Sequence, residues 1–319
     1  MSDEQNQALE QGGQYSLPRE EELTVQKSFD LALYYILKNQ PVILYGPPGT
    51  GKTKLVYDIK QKLEADDKLG KFENVQFHKK FTYEDFVEGF SPNTTGAFEK
   101  KDGIFKNFCK NPSDKPVDLF LIDEINRAEI TTTFGELLFL IEDRKLRSVQ
   151  TSHFSDKFTM PQNLSLVGTM NTADRNIAIL DFALRRRFVF IPVFPDYNVL
   201  LKLISEFGFA FESFTPDEYV KAVKIINKRI SKNRLMGRNM QLGHAMLIPS
   251  LQSGAISETD IINMFNYSLL PQLESYCGYG YEDQLATLLN PNVAGKYLNN
   301  KQLNFNDIDG LIRDLDNEK

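Results

Sequence analysis

The residues best suited to chemistry form a run of eight with the spacing of a phosphate-binding loop. They are Gly46, Pro47, Pro48, Gly49, Thr50, Gly51, Lys52 and Thr53. In this pattern the glycines allow main-chain N–H groups to surround phosphate oxygens, the lysine reaches the β- and γ-phosphates, and the last hydroxyl binds Mg²⁺. The sequence therefore predicts that these residues bind a nucleotide and that Thr53 is a magnesium ligand.

The segments on either side of the loop support this interpretation. Residues 41–45 are a short apolar run, which is typical of a buried strand. Residues 52–63 are polar, with apolar side chains at helical spacing on one face. The loop thus opens a helix, and the N-terminal dipole of a helix favours an anion.

Two acids follow a second buried strand. Residues 117–122 are almost continuously apolar, as required for a strand covered on both faces of a parallel sheet. Asp123 and Glu124 come directly after it, at the end of the strand where such sheets bind ligands. We expect Asp123 to hold Mg²⁺, directly or through water, and Glu124 to polarise the attacking water.

A polar turn and a run of arginines complete the set of candidate site residues. Asn171 follows a strand pattern at 164–169, so its amide is expected at the same sheet edge as the two acids. Arg185, Arg186 and Arg187 end a short predicted helix before a strand at 188–191. Successive helical residues point in different directions, so we expect separate roles: capping the helix, pairing with an acid and reaching across an interface.

The order of the elements predicts the fold class. Five β-type segments alternate with helices, which is typical of a three-layer α/β domain on a parallel five-stranded sheet. We assign this domain to residues 24–195 and an all-helical lid domain to residues 196–319. The lid contains a capping box at Thr215 and further helices at 257–270 and 306–315. Residues 1–23 are rich in Gln, Glu and Gly and are predicted to be a disordered tail.

Several segments allow more local expectations. The patterns predict a strand at 74–78, short helices at 81–90 and 104–110, and a longer helix at 130–142. Residues 144–161 are expected to form a protruding hairpin or long loop, whose basic residues either contact nucleic acid or a partner or are simply solvated. The basic residues are Arg144, Lys145, Arg147 and Lys157. In the lid, His244 either contacts the nucleotide or is a hydrogen-bonded residue near a helix start.

Composition excludes several classes of protein. The chain has 319 residues, of which 41% are hydrophobic and 25% charged, as in an ordinary globular protein, and its net charge of −6 argues against a protein coated with nucleic acid. Its two cysteines, Cys109 and Cys277, lie far apart. No signal-peptide pattern or membrane-length apolar run is present, so we expect a cytoplasmic protein with no membrane contact.

Taken together, these motifs resemble the AAA+ ATPase superfamily, and within it the McrB-type GTPase motors of modification-dependent restriction systems. The similarity covers about residues 25–270. The motifs that carry it lie at residues 83–89, 122–127, 170–175 and 183–188, and the Met-Asn-Thr-Ala-Asp-Arg stretch at 170–175 is the most specific.

The resemblance implies a homo-oligomeric ring, commonly a hexamer, with nucleotide bound between subunits. By position, Lys52 and Thr53 match the phosphate and Mg²⁺ ligands, Asp123 and Glu124 the metal and water residues, and Asn171 a sensor of the γ-phosphate. Asp174 belongs to the signature turn of the family. Arg186 or Arg187 matches the arginine that one subunit presents to its neighbour.

The leading hypothesis is therefore a Mg²⁺-dependent motor that hydrolyses GTP in preference to ATP and drives DNA translocation with a separate McrC-like nuclease subunit. Such motors often carry a DNA-reading domain before the motor, but here fewer than about 25 residues precede the first predicted helix, too few for an independent fold. We therefore expect either that another chain of the complex reads modified DNA or that this sequence is a shortened form of a longer protein. Two alternatives stay open: a MoxR-like ATPase that remodels protein complexes, and a scaffold gated by nucleotide binding.

Overall fold

The computed structural model describes residues 24–92, 94, 97–142, 148–173, 182–249, 254–278 and 281–317. The first helix begins at Val25, after Thr24, whose side chain accepts a hydrogen bond from the main-chain N–H of Lys27. The tail predicted at residues 1–23 lies outside the described residues.

The part of the chain before residue 195 contains both helices and strands. In order, they are α1 (Val25–Leu37), β1 (Val42–Gly46), α2 (Lys52–Ala65), β2 (Leu69–Gln76), α3 (Tyr83–Phe86), β3 (Glu88–Pro92), β4 (Phe98–Asp102), α4 (Ile104–Cys109), β5 (Val117–Asp123), α5 (Ile130–Phe134), α6 (Leu137–Glu142), β6 (Val149–Gln150), β7 (Lys157–Phe158), β8 (Leu164–Asn171), α7 (Phe182–Arg185) and β9 (Val189–Pro192).

A five-stranded sheet forms the centre of this part, in the order β2-β5-β8-β1-β9. Every neighbouring pair of strands is parallel, so the C-terminal ends of all five lie at one edge. The predicted parallel five-stranded sheet is therefore confirmed.

The two faces of the sheet are covered by different helices. Because successive strand residues point to opposite faces, Leu44 and Leu119 pack with α1 and α2, whereas Ile43 and Phe120 pack with α3 to α6. The result is the predicted three-layer arrangement, with an apolar core on each side of the sheet.

The segment 81–90 differs from the predicted helix. Only Tyr83–Phe86 is helical, and β3 then pairs with β4 in an antiparallel hairpin. Phe86 is buried as predicted, but Phe90 lies on β3 and is 57% exposed. The prediction was wrong because the hairpin depends on a pairing between separate segments, which the spacing of the phenylalanines does not encode.

Two other boundaries were also wrong. The single helix predicted at 130–142 is interrupted at Gly135, whose φ of +51° ends α5 before α6 begins. The strand predicted at 74–78 begins earlier, at Leu69, because β2 is an edge strand whose first residues mix apolar and polar side chains and form no apolar run. The predicted helix at 104–110 is present as α4.

A short antiparallel hairpin, formed by β6 and β7, occupies the protruding region predicted at 144–161. Lys157 is exposed at the start of β7. Arg144, Lys145 and Arg147 lie outside the described residues.

The chain after residue 195 is helical, as predicted, and has its own apolar core, which extends from Leu200 to Leu315. Thr215 and Glu218 form the predicted capping box. The helix predicted at 257–270 passes through a π-helical turn, Phe265–Leu269, and continues to Cys277. The helices are α8 (Tyr197–Phe207), α9 (Pro216–Lys232), α10 (Glu258–Met264), α11 (Leu270–Cys277), α12 (Tyr281–Leu288), α13 (Pro291–Asn300) and α14 (Phe305–Asp316).

Among the helices that the structure describes, none combines the length and the apolar character needed to cross a bilayer.

Candidate nucleotide site

The phosphate-binding loop lies between β1 and α2, as the sequence predicts. Gly51 immediately precedes α2 with φ +79°, so the chain turns into the helix in a left-handed conformation. The first main-chain N–H groups of a helix have no partner within the helix. The loop therefore presents these groups, together with the positive end of the helix dipole, to an anion.

The side chain of Lys52 lies against the loop that would bind a phosphate. Its side chain is largely buried, and Nζ donates to the carbonyl oxygens of Gly46 at 3.0 Å and Pro47 at 2.7 Å. The hydroxyl of Thr50 also donates to Pro47 O, at 3.0 Å. The loop therefore holds the ammonium group beside the turn in which a phosphate would bind.

Thr53 and Asp123 are joined directly, although they are far apart in sequence. The Thr53 hydroxyl donates to Asp123 Oδ1 at 2.9 Å. Thr169, on β8, donates to the same carboxylate oxygen and accepts from the main-chain N–H of Glu124 at 3.1 Å. A hydroxyl and a carboxylate are oxygen ligands of the kind Mg²⁺ prefers, and phosphates and waters usually complete its octahedral shell. The residues present therefore fit a magnesium ion.

Glu124 has an unusual main-chain conformation, with φ 53° and ψ 46°. The left-handed region is uncommon for residues other than glycine and costs about 1–2 kcal/mol. Its carboxylate forms an ion pair with Arg127, with 3.5 Å between Oε2 and Nε. Strain of this kind often marks a functional position.

Asn171 lies beside the loop because β8 and β1 are paired. It is opposite Gly46 in the register, and its Oδ1 accepts from the N–H of Ala173 at 3.2 Å. Asn126 donates to Asn171 O at 3.4 Å, while its own buried Oδ1 has no hydrogen-bond partner among the residues that the structure describes. Two amide side chains thus lie at the edge that also carries the two acids.

The three arginines have different surroundings. The side chain of Arg187 is only 5% exposed, and it donates to Leu138 O at 3.0 Å and pairs with Glu142. Arg186 is 63% exposed and meets Glu142 with 3.2 Å between Nε and Oε1. Arg185 is exposed at the end of α7. One glutamate therefore binds both of the arginines that the sequence places in a trans role. Asp174 lies outside the described residues.

A segment of the lid contacts the loop from the other side. The N–H of Ala245 donates to Gly49 O at 2.9 Å, and a Cβ added to Gly243 would lie 2.2 Å from Pro48 O. Asn239 O accepts from the Thr172 hydroxyl at 3.0 Å. The lid therefore contacts both the phosphate-binding loop and the turn after Asn171.

The basic residues in segment 234–244 of the lid do not all face the phosphate-binding loop. Arg238 stacks over the ring of Phe194, with its guanidinium carbon 3.7 Å from the ring centroid, and Arg234 is exposed. His244 is buried next to Gly51, and its Nδ1 accepts from the N–H of Asp196 at 3.3 Å. Burial lowers the pKa of the imidazole below its ordinary value, against the opposing effect of the Asp196 carboxylate.

Comparison with known proteins gives the family. Residues 41–188 match the AAA domain of the dynein-related subfamily, and residues 218–284 match the α-helical lid domain of McrB. The chain is 35% identical, over 74% of its length, to the EcoKMcrB subunit of a type IV methyl-directed restriction enzyme from Escherichia coli (strain K12). The chain is a McrB-type AAA+ protein. It is also 24% identical, over 52% of its length, to the YdiS component of the type II restriction enzyme BsuMI from Bacillus subtilis (strain 168).

The two matching regions together contain the candidate site residues that the structure describes. The first matching region contains the loop, the acids, Asn171 and the arginines, and the second contains His244. The chain spans 53% of the Escherichia coli relative and 61% of the Bacillus subtilis relative.

Sequence reasoning gave no role to three residues that the structure adds to this McrB-type site. Thr169 is a hydroxyl residue in an otherwise apolar strand, two positions before Asn171. A polar residue at this position is the signal from which the sequence could have predicted a role in the site. Asn126 was noted within a motif, but its contact with Asn171 depends on the strand order. Glu142 falls within a predicted helix, and its pairing with the arginines depends on where the residues after α7 lie against α6.

Proposed function

We propose that this chain is the GTP-hydrolysing motor subunit of a restriction system, and that it works as a ring with a separate nuclease subunit. The observation that carries the proposal is the contact between Thr53 and Asp123, which joins the phosphate-binding loop to the acidic end of β5. Together with the McrB-type family match, this contact supports hydrolysis of a nucleoside triphosphate.

Each residue of the subunit's own half-site has a defined task in this proposal. The loop amides and Lys52 bind the phosphates, and Thr53 and Asp123 hold Mg²⁺, which when bound neutralises charge on the phosphate oxygens. Glu124 orients the attacking water and accepts its proton, and Asn171 hydrogen-bonds that water or the γ-phosphate. Asp174 is kept as a residue of the signature turn.

The proposed ring, with six subunits as the expected number, supplies the remaining catalytic group. Arg186 is the better candidate for the arginine that reaches the neighbouring nucleotide, because its side chain is largely exposed. Arg187 is buried against Leu138, so we assign it to positioning α7. An arginine supplied in trans raises turnover by about 10³–10⁵-fold.

The biological setting is proposed from the relatives. Both are described as parts of restriction enzymes, one of them methyl-directed. We therefore propose that an McrC-like nuclease subunit is the partner, that DNA binds through the assembled complex, and that the protein acts in the cytoplasm in defence against phage. GTP preference over ATP is likewise proposed from the family.

The deciding experiment measures hydrolysis of GTP and of ATP by the purified chain, alone and with the product of its neighbouring gene and DNA. We expect slow GTP hydrolysis by the chain alone and a large stimulation by the partner. Hydrolysis of ATP with GTP inert would overturn the nucleotide preference. A rate that responds to neither partner nor DNA would contradict the motor role and favour a remodelling ATPase.

A further inference from the structure

The hairpin of β3 and β4 exposes two aromatic rings that the proposed mechanism does not use. Phe98 is 74% exposed and Phe90 is 57% exposed. Residues directly opposite each other in an antiparallel pair lie on the same face of the hairpin. Phe90 is opposite Lys100, and Phe98 is opposite Pro92. Because side chains alternate along a strand, these four residues share one face, which we call the aromatic hairpin face.

The base of this hairpin is fixed against the β6–β7 hairpin. Glu88, two residues before Phe90, is fully buried and accepts from the N–H of Phe154 at 2.9 Å. Lys106 pairs with Glu88 at 2.5 Å and with Asp102 at 2.9 Å. The ring of Phe154 packs edge-on against Phe90, with 5.2 Å between the centroids. The aromatic hairpin face is therefore positioned before any ligand binds.

A lysine side chain lies beside these rings. The ammonium group of Lys100 is 4.7 Å from the centroid of the Phe154 ring, and the Lys100 side chain is 59% exposed. The carboxylate of Asp156 is 4.0 Å from this ammonium group and its side chain is 52% exposed, so the ion pair is weak in water. Lys101 and Glu99 are exposed on the opposite face of β4. The aromatic hairpin face thus combines accessible rings with a weakly paired positive charge.

This combination of side chains fits a nucleic-acid strand better than a protein partner. The buried centre of a protein interface is apolar and depleted in lysine, whereas here Lys100 lies directly opposite Phe90. Proteins that bind single strands stack the bases on aromatic rings and follow the phosphates with basic side chains. Stacking of this kind needs bases that are unpaired, because the faces of the bases are covered within a duplex.

We infer that the aromatic hairpin face binds a single strand of DNA, with unpaired bases stacked on Phe90 and Phe98 and a phosphate paired with Lys100. This inference rests on the proposed function, because it names the residues with which the proposed motor contacts DNA. None of these residues belongs to the candidate nucleotide site. Substitutions in the face should therefore leave basal hydrolysis of GTP intact.

Substitutions of exposed residues test the face without disturbing the apolar core. Phe98→Ala removes one stacking ring, and Phe98→Tyr is the conservative variant that keeps it. Lys100→Gln removes the positive charge and keeps most of the side chain. Tyr267→Ala is the matched control, because Tyr267 is an aromatic residue of the lid that is 68% exposed.

The measurement is the Kd of a labelled oligothymidine of about 20 nucleotides, which is longer than one binding site of this kind. Each full-length variant is measured with Mg²⁺ and a slowly hydrolysed GTP analogue, with and without the product of the neighbouring gene. Basal GTP hydrolysis is recorded in parallel and should be unchanged in every variant.

The expected effects differ between the variants. Phe98→Ala should bind the strand about 5–150-fold more weakly than wild type, the size of one stacked base, whereas Phe98→Tyr should stay within about threefold. Lys100→Gln should weaken binding and reduce the slope of log Kd against log salt by about 0.7, because one phosphate contact is lost. Tyr267→Ala should bind as wild type does.

The outcomes distinguish this inference from the proposed function. If wild type hydrolyses GTP but binds no strand, or if Phe98→Ala binds the strand as well as wild type, the inference is overturned and the proposed function stands. Equal affinity for a duplex of the same length would exclude stacking and also overturn it. If Phe98→Ala loses only the stimulation by the neighbouring gene product, the face docks a protein instead. If wild type hydrolyses neither GTP nor ATP, the proposed function itself fails.

Discussion

The phosphate-loop edge and the arginine run are built in opposite ways. At the loop edge, Thr53, Asp123 and Thr169 come from three different elements and are already bonded to one another. In the arginine run, Arg186 and Arg187 are adjacent in sequence and both pair with Glu142 of their own subunit. The phosphate-loop half of the proposed site is therefore assembled within a single chain. The arginines of the other half are instead paired with a glutamate of the same chain.

This difference indicates where control of turnover lies. Under the proposed function, the loop edge needs only nucleotide and metal to be complete, but Arg186 would have to leave Glu142 before it could reach a neighbour. An exposed ion pair is weak, typically below about 1 kcal/mol, so assembly can break it at small cost. Breaking the buried ion pair of Arg187 with Glu142 costs more, because it leaves the guanidinium group buried without a charge partner or solvent.

The sharpest test of this comparison is replacement of the two arginines in turn. Arg186→Ala should reduce GTP turnover of the assembled protein by about 10³–10⁵-fold, with the thermal midpoint unchanged, because a trans finger is lost. Arg187→Ala should instead lower the midpoint, because Leu138 O and Glu142 lose a buried partner. Turnover and thermal unfolding of both variants give the answer, and equal effects on stability would refute the division of roles.

A mixing experiment tests whether Arg186 acts between subunits. Neither Arg186→Ala nor Glu124→Gln should turn over alone. In mixed rings, a subunit with an intact Glu124 can meet an intact Arg186 from its neighbour, so activity should return in part. No recovery at any mixing ratio would mean that both residues act within one chain.

The next largest effect is expected at Glu124. Glu124→Gln keeps the size of the side chain but removes the proton acceptor, so turnover should fall by about 10²–10⁴-fold while nucleotide binding remains. The rate and the Kd of GTP measured on one preparation check this. Loss of binding together with rate would assign Glu124 to ligand binding instead of water activation.

A smaller effect tests how the metal ligands are held. Thr169→Val removes the hydroxyl that contacts Asp123 and the Glu124 N–H, so the Mg²⁺ concentration for half-maximal rate should rise about 10–100-fold. Ser165→Ala is the control on the same strand, because Ser165 bonds Ile36 O at 2.7 Å, at the other end of β8. If both variants show the same Mg²⁺ dependence, the proposed support of the metal ligand is wrong.

The smallest effect concerns stability instead of chemistry. Glu88, on β3, is fully buried and pairs with Lys106 at 2.5 Å, and it accepts from the N–H of Phe154 at 2.9 Å in the β6–β7 hairpin. Burial alone would raise the pKa of Glu88, but these hydrogen bonds lower it below the ordinary value of 4.5. Glu88→Gln should lower the free energy of unfolding by about 2 kcal/mol, because Lys106 loses one charge partner but keeps Asp102 at 2.9 Å.

The pH dependence of this variant has a definite sign. A carboxylate with a lowered pKa stabilises the folded state above pH 4.5, and that contribution is lost as the pH falls through the folded pKa. The difference between wild type and Glu88→Gln should therefore shrink below pH 4.5. Denaturant unfolding at several pH values measures it, with the exposed Glu99→Gln as the control.

Much of the fold was predictable because the informative patterns are local. The apolar runs of β1, β5 and β8 reflect burial on both faces, and the glycines and Lys52 occur at fixed spacing in one segment. The hairpin of β3 and β4 and the helices α8, α12 and α13 were missed. In the hairpin, pairing with a distant segment decides the conformation, which local propensity does not report.

The candidate site shows the same limit. The sequence identified the residues that end strands, because parallel strands bring their C-terminal ends to one edge. It left open which arginine is exposed, since that depends on how the residues after α7 lie against Leu138 and Glu142 of α6. It also left His244 undecided, because its distance from Gly51 is set by the contact between lid and loop.

Gly243 determines how closely the lid can pack against the phosphate-binding loop. Its main chain packs directly on the main chain of the loop, and an added Cβ would lie 2.2 Å from both Pro48 O and Gly49 C. Neither of these atoms belongs to a flexible side chain that can move aside. Even a single methyl group here would act as a wedge, so any side chain at this position would push the lid away from the phosphate-binding loop.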